Sequence, residues 1–241
     1  MMRPGFQAYL AQFRALSEAY WSTHVERALE EFEKSGVGGA TWAAGTRWKP
    51  GMSQLEIDAI EHDFGARFPE EYRAFLAILN ATNNSAIWSL FEGDTLQKAA
   101  PRRIFSDWVD GLEDIKRTQE DVVSGILFDV ENGAFWHDEW GERPNDVDDV
   151  RRHVRDLVES APKLIPLHSH RFLVADLDLE PAPVLSVMQS DVIYYADCIE
   201  DCLAADFPDL ALGLEPPEMV IDEKTCFSAL RAVPFWGALL S

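Results

Sequence analysis

The order of patterns along the chain predicts an α+β fold, and three observations carry that reading. Helical periodicity dominates the first third, short β-prone runs dominate the part after Gly125, and one strong amphipathic helix stands between those runs. Helices and strands do not alternate as a doubly wound parallel sheet requires. The expected sheet is antiparallel (mixed), made of short strands packed by helices, with an N-terminal amphipathic helix added to it.

In residues 6–32 the apolar positions Phe6, Leu10, Phe13, Leu16, Tyr20, Trp21, Val25, Leu29 and Phe32 recur close to helical spacing, which predicts one long helix. Gly36, Gly38 and Gly39 stop it, so residues 1–39 read as an N-terminal helical extension expected to pack on the main domain, with a free partner-binding helix as the alternative. Ser53 and Glu56 then form a capping box, in which hydroxyl and carboxylate each satisfy an orphan amide at a helix start. Ile57, Ile60 and Phe64 make that helix's buried stripe, and Gly65 supplies a left-handed stop. Pro69 starts a second helix with Tyr72, Phe75, Leu76 and Leu79 on one face. Residues 80–125 carry a weaker signal, with Trp108, Leu112 and Ile115 suggesting one more helix.

Residues 126–130 and 134–136 flank Glu131-Asn132-Gly133, and Asn-Gly between apolar runs predicts a β-hairpin. Asn145 is expected to cap a helix with Val147, Val150, Val154, Leu157 and Val158 on one face, ended by Ala161-Pro162. The runs 164–167, 172–175, 184–188 and 192–195 read as strands, the last two joined by a turn at 189–191. Asp197 and Glu200 are expected to cap a helix reaching Phe207, with Cys202 and Leu203 inward. Phe227, Leu230, Phe235 and Trp236 mark residues 208–241 as a C-terminal extension packing on the domain.

The chain has 241 residues, 47% of them hydrophobic, and 21 Lys+Arg against 42 Asp+Glu give a formal net charge of −21. A mean hydropathy of only −0.16, with 14 Phe and 8 Trp, supplies a core, so the charge belongs to a globular protein rather than a disordered polymer. Residues 51–241 hold fifteen Lys+Arg and thirty-seven Asp+Glu, whereas residues 1–50 are nearly balanced. Nucleic acid and anionic membranes are polyanions bound through Lys and Arg, so this balance argues against both as direct partners. Three cysteines without metal-site pairing fit reduced thiols, and no signal-peptide core or membrane span is visible; the expected location is cytoplasmic, with no membrane insertion.

Catalytic patterns are sparse. His137-Asp138-Glu139 with His168 and His170 is the best metal-like set, but its spacing is unspecific and there is no His-Glu-x-x-His. Cys202 reads as a buried thiol, and Cys198 stands near a helix start among acids that oppose thiolate formation. Asp129 with Glu131, or Asp138 with Glu139, are pairs expected by chance among 42 acids. The expectation is therefore no catalytic residue, no metal and no cofactor, with a metal-dependent hydrolase using His137, His168 and His170 as the alternative. Trp136, Trp140, Arg143 and Pro144 either line a partner-binding surface or pack the sheet with Arg143 paired to an acid. Tyr194 and Tyr195 are adjacent in a strand and point to opposite faces, so one is expected in the core and the other free for contact.

Trp48-Lys49-Pro50-Gly51-Met52-Ser53, leading into Glu56-Ile57, Ile60-Glu61, Phe64-Gly65, Phe68-Pro69, Tyr72-Arg73 and Phe75-Leu76, resembles the opening of the SUKH superfamily, in particular homologues of the yeast cell-wall-assembly regulator. Trp140-Gly141-x-Arg143-Pro144, Ala161-Pro162-Lys163-Leu164-Ile165-Pro166, His170-Arg171-Phe172, Pro183-Val184-Leu185-Ser186-Val187 and Asp191-Val192-Ile193-Tyr194-Tyr195 resemble its bacterial members. The resemblance places a SUKH-like domain at residues 47–207. Where the family reads Asn-Gly this chain reads Asn80-Ala81, so a turn needing positive φ there would be strained.

The resemblance implies a non-enzymatic protein-binding domain, namely an immunity (antitoxin-like) protein that neutralises a polymorphic or contact-dependent toxin, with a regulatory scaffold of the cell-wall-assembly type as the alternative. The implied partner is a protein, such as a basic nuclease toxin domain whose cleft acidic side chains could enter. The candidate contact residues are Trp136, Asp138, Glu139, Trp140, Arg143, His168, His170, Arg171, Tyr194 and Tyr195; oligomeric state is not indicated.

Overall fold

A computed structural model describes residues 4–23, 39–92, 95–98, 103–133, 135–177, 179–211, 213–214 and 223–241. The elements follow in the order α1 (Phe6–Thr23), β1 (Gly39–Trp42), β2 (Trp48–Lys49), α2 (Gln54–Phe64), α3 (Glu70–Ile78), β3 (Asn80–Thr82), β4 (Ala86–Glu92), β5 (Thr95–Lys98), α4 (Leu112–Asn132), a 3₁₀ turn (Asp138–Trp140), α5 (Val147–Ser160), β6 (Leu164–His168), β7 (Arg171–Val174), β8 (Val184–Met188), β9 (Asp191–Ala196), α6 (Ile199–Asp206), α7 (Glu223–Arg231) and α8 (Trp236–Leu239). This is an α+β fold with antiparallel sheets of short strands.

The principal sheet is the meander β6-β7-β8-β9, antiparallel throughout. Its strands are apolar at nearly every position because both faces are covered. Alternate side chains serve two cores. Ile165, Leu167, Leu173, Ala175 and Val184 join α1, α2, α3 and α6 in one core, while Leu164, Phe172, Val174, Leu185, Val187 and Val192 join α4, α5, α7 and α8 in the other. Tyr195 packs on the first core and Tyr194 on the second, so neither face leaves its tyrosine in open solvent.

Helix α1 buries Phe6, Tyr9, Leu10, Phe13 and Trp21 in the first core, each such side chain being worth about 1.5–3 kcal/mol of burial. Arg14 donates to the carbonyls of Ile78, Trp48 and Lys49, and the Trp48 indole donates to Ser17 Oγ at 2.7 Å, fastening α1 to β2 and to the end of α3. The remainder of the long N-terminal helix expected to residue 32 lies outside the described residues. The Ser53–Glu56 capping box and the left-handed Gly65 stop of α2 form as the sequence predicts. Gly51 has a steric reason: a Cβ there would stand 1.9 Å from the carbonyl oxygen of Ala77, where the chain crosses the end of α3.

Several expectations are corrected. The predicted hairpin at 126–136 does not exist, because α4 runs unbroken through Gly125 to Asn132. Ile115, Val122, Ile126, Leu127 and Val130 form its buried stripe at helical spacing, and Gly125 suits the close crossing of α4 over the β8–β9 turn, where a Cβ would meet Gln189 Cα at a tight 3.0 Å. Asp129, one turn on, accepts from the Ser190 amide and hydroxyl at 3.0 and 2.6 Å. Helix α5 is capped by Asp146, which accepts from the amides of Asp148 and Asp149, rather than by Asn145; Val147 is 49% exposed instead of inward. Cys198, not Asp197, occupies the N-cap of α6, and Asp197 accepts from the Tyr194 hydroxyl. Ala81 does adopt positive φ, 49°, and is buried, so the chain keeps the left-handed path without glycine.

Candidate interaction surface

The ten sequence-derived contact residues fall into separate regions. Trp136, Asp138, Glu139, Trp140 and Arg143 come together after α4. There Gly133 donates to Asp129 O and closes the helix, and the chain enters the 3₁₀ turn with His137 as N-cap, its Nδ1 accepting from the Glu139 amide at 3.2 Å. Gly141, at φ 78°, turns the chain back so that its carbonyl accepts from Trp136 Nε1 at 2.7 Å.

Arg143 is not held by an acid here: its Nη2 donates to Val130 O at 2.7 Å, filling a carbonyl at the negative end of α4. Its guanidinium stands 5.7 Å from the Trp136 ring centre, and Trp136 also stacks on His153 at 5.5 Å and 25°. Trp140 meets Trp136 and Phe135 edge-on and lies parallel to Phe235 at 5.4 Å. It is only 4% exposed, so it supports Trp136 from within the second core.

Phe135, Trp136 and His137 are left half-buried, forming an aromatic ridge. Around it Asp138, Glu139, Glu142, Asp146, Asp148 and Asp149 are exposed. Asp146 is occupied by its cap, and Asp148 and Asp149 pair with Arg151 and Arg152 at 3.1 and 2.7 Å; Asp138, Glu139 and Glu142 stand in solvent. A rigid aromatic centre with an acidic rim has the anatomy of a protein contact, in which aromatic side chains supply desolvated area and rim charges steer approach.

His168, Arg171 and Tyr195 lie on the opposite face of the β6–β9 sheet, against α6. Arg171 holds Asp206 with two bonds, Nε to Oδ2 at 2.9 Å and Nη2 to Oδ1 at 3.1 Å, and donates to Ser186 Oγ at 3.0 Å. The Tyr195 hydroxyl donates to Asp206, and its ring lies 3.5 Å beneath the guanidinium. His168 Nε2 is 3.3 Å from Asp206 Oδ2 and 3.5 Å from Cys202 Sγ. Sequence reading missed Cys202 and Asp206 as members of this cluster; their separation of four in a helix was the available signal.

Cysteine, histidine and aspartate in one cluster invite comparison with a nucleophile, base and orienting acid, but the geometry differs. Thiol and carboxylate both address the same ring nitrogen, whereas an orienting acid holds the other one. Burial pushes His168 down to about 3 and, with Asp206 nearby, pushes the Cys202 thiol up, so both are neutral where a thiolate would be needed.

Tyr194 faces the second core, bonded to Asp197 and edge-on to Phe227, and His170 forms the β6–β7 turn beside a cleft of about 420 Å³ shared with Thr118 and Asp121 of α4. His137, His168 and His170 thus do not share the set proposed for a metal: His137 caps the 3₁₀ turn and His168 faces Cys202 and Asp206. None of the described helices is long and apolar enough to cross a membrane.

No curated protein and no solved structure matches the chain. Residues 51–201, from the approach to the capping box of α2 into α6, match the model of the SMI1 / KNR4 family (SUKH-1), which points to a protein-interaction domain. That match spans well over half of the sequence and every strand of the principal sheet, and on it the chain belongs to the SMI1 / KNR4 family (SUKH-1).

Proposed function

We propose that this protein is a non-enzymatic, cytoplasmic immunity protein that binds and neutralises a basic bacterial toxin domain, such as a nuclease, through the aromatic ridge and its acidic rim. The single observation that carries the reading is the half-buried Trp136, stacked on His153 and backed by buried Trp140, standing among exposed Asp138, Glu139 and Glu142. Trp136 supplies the anchor that a partner desolvates, and the rim acids offer carboxylates where the toxin cleft takes phosphates. Arg143 is the positioning residue, tying Trp136 to the end of α4.

The test is rescue of cells expressing any toxin domain that is found encoded next to this gene. Wild type should restore growth, and a folded Trp136→Ala, Asp138→Lys, Glu139→Lys variant should fail. Equal rescue by that variant would remove the ridge from the interface. Absence of rescue by wild type would leave the scaffold role implied by the cell-wall-assembly branch as the better reading.

A further inference from the structure

We propose that His168, Cys202 and Asp206 form a binding site for a zinc-class divalent transition metal, joining α6 to the principal sheet. Cys202 and Asp206 are four residues apart in α6 and share one helix face; His168 ends β6. The three donor atoms lie within 4.8 Å of one another, with Nε2 to Oδ2 3.3 Å, Nε2 to Sγ 3.5 Å and Sγ to Oδ2 3.9 Å. Zinc bonds of about 2.0–2.3 Å at tetrahedral angles separate donors by roughly 3.3–3.6 Å. Two edges of the triangle have that length and the third exceeds it by a few tenths of an ångström.

Hydrogen bonding leaves one edge of the triangle weak: with Nε2 donating to Asp206 Oδ2 at 3.3 Å, the Cys202 thiol reaches the same oxygen only at 3.9 Å. A cation at the centre uses all three lone pairs together. The mixed nitrogen, sulfur and oxygen set selects zinc or cobalt over magnesium and calcium, which take oxygen ligands.

The surroundings supply the outer shell such ligands need. Arg171 and Tyr195 fix the Asp206 carboxylate by the three hydrogen bonds described above, and so orient Oδ2 toward the other donors. The guanidinium charge beside the metal is met by the Tyr195 ring and by Ser186 Oγ. On binding, the Cys202 S–H bond breaks, its proton passes to solvent, and the sulfur electron pair forms the metal–sulfur bond; with the Asp206 carboxylate the thiolate neutralises the dication. Half-buried Asp206 marks the side open to solvent. The three protein donors leave a fourth position open on that side, and the site stands apart from the toxin-binding reading, which uses the other face of the sheet.

The full-length chain, carrying no affinity-tag histidines, is dialysed against Co²⁺ and then titrated with Zn²⁺. The expected result is about one cobalt per chain with a thiolate-to-cobalt absorption band, displaced by about one zinc. Zinc should raise the Tm of wild type, and Cys202→Ser should lose both the band and the Tm shift, with affinity down about tenfold or more. Cys202→Ala serves if the serine variant does not fold. No band in wild type, or a band unchanged in the Cys202 variant, overturns the site.

Discussion

The two faces of the β6–β9 sheet each place an arginine over an aromatic ring, and they put that unit to different uses. Arg171 over Tyr195 is enclosed, held by Asp206 and Ser186, and belongs to the joint between sheet and α6. Arg143 over Trp136 is exposed, bonded to a helix-end carbonyl, and borders a half-buried ridge. Burial decides the difference. An enclosed charge must keep its partner or cost several kcal/mol, whereas an exposed one is free to meet another molecule at little cost to folding.

The comparison breaks most visibly at Arg171. Arg171→Ala leaves the Asp206 carboxylate without its counter-ion and should lower stability by about 3–5 kcal/mol in chemical denaturation. Next in size is the contrast within the aromatic group. Trp140→Ala should cost about 3–5 kcal/mol as a buried cavity, while Trp136→Ala should cost only about 0.5–1.5 kcal/mol, the scale of an aromatic pair, and should abolish rescue. Equal losses at the two tryptophans would erase the division between support and surface.

A second enclosed ion pair extends the same test to pH. Asp107 has a fully buried side chain; burial alone would raise its pKa, but bonds from Lys49 and from the amides of Asp110 and Val109 outweigh it and hold the carboxyl below its usual range. A depressed folded pKa contributes stability above the unfolded value of about 3.9 and loses it as pH falls through the folded one. Denaturation midpoints should therefore show the advantage of wild type over Asp107→Asn shrinking as pH drops below about 4. Smallest of all, Asp138→Asn with Glu139→Gln should shift stability by less than about 0.5 kcal/mol, yet weaken toxin binding most at low salt, where rim charges are least screened.

What was legible in the sequence follows the range of the interactions. The capping box of α2, its Gly65 stop and the strands β6 to β9 are specified by neighbours a few residues apart, and all can be read directly. The stretch 126–136 misleads because Asn132-Gly133 carries a local hairpin signal, while the reason for Gly125 inside α4 is the β8–β9 turn more than sixty residues away. Strands β3 to β5 gave no clear periodicity within residues 80–98. For the candidate sites, Trp136, Asp138, Glu139, Trp140 and Arg143 are close in sequence and legible there as one group. Arg171 and Asp206 are joined only by the fold, so the cluster they share with His168 and Cys202 was invisible before it.

Amide hydrogen exchange of the chain, free and saturated with a toxin domain identified by the rescue test, bears most directly on the ridge as the proposed partner surface. New protection should concentrate at residues 135–149, with the sheet face beneath α6 unchanged. Protection confined to other segments, with 135–149 exchanging as in the free protein, would contradict it.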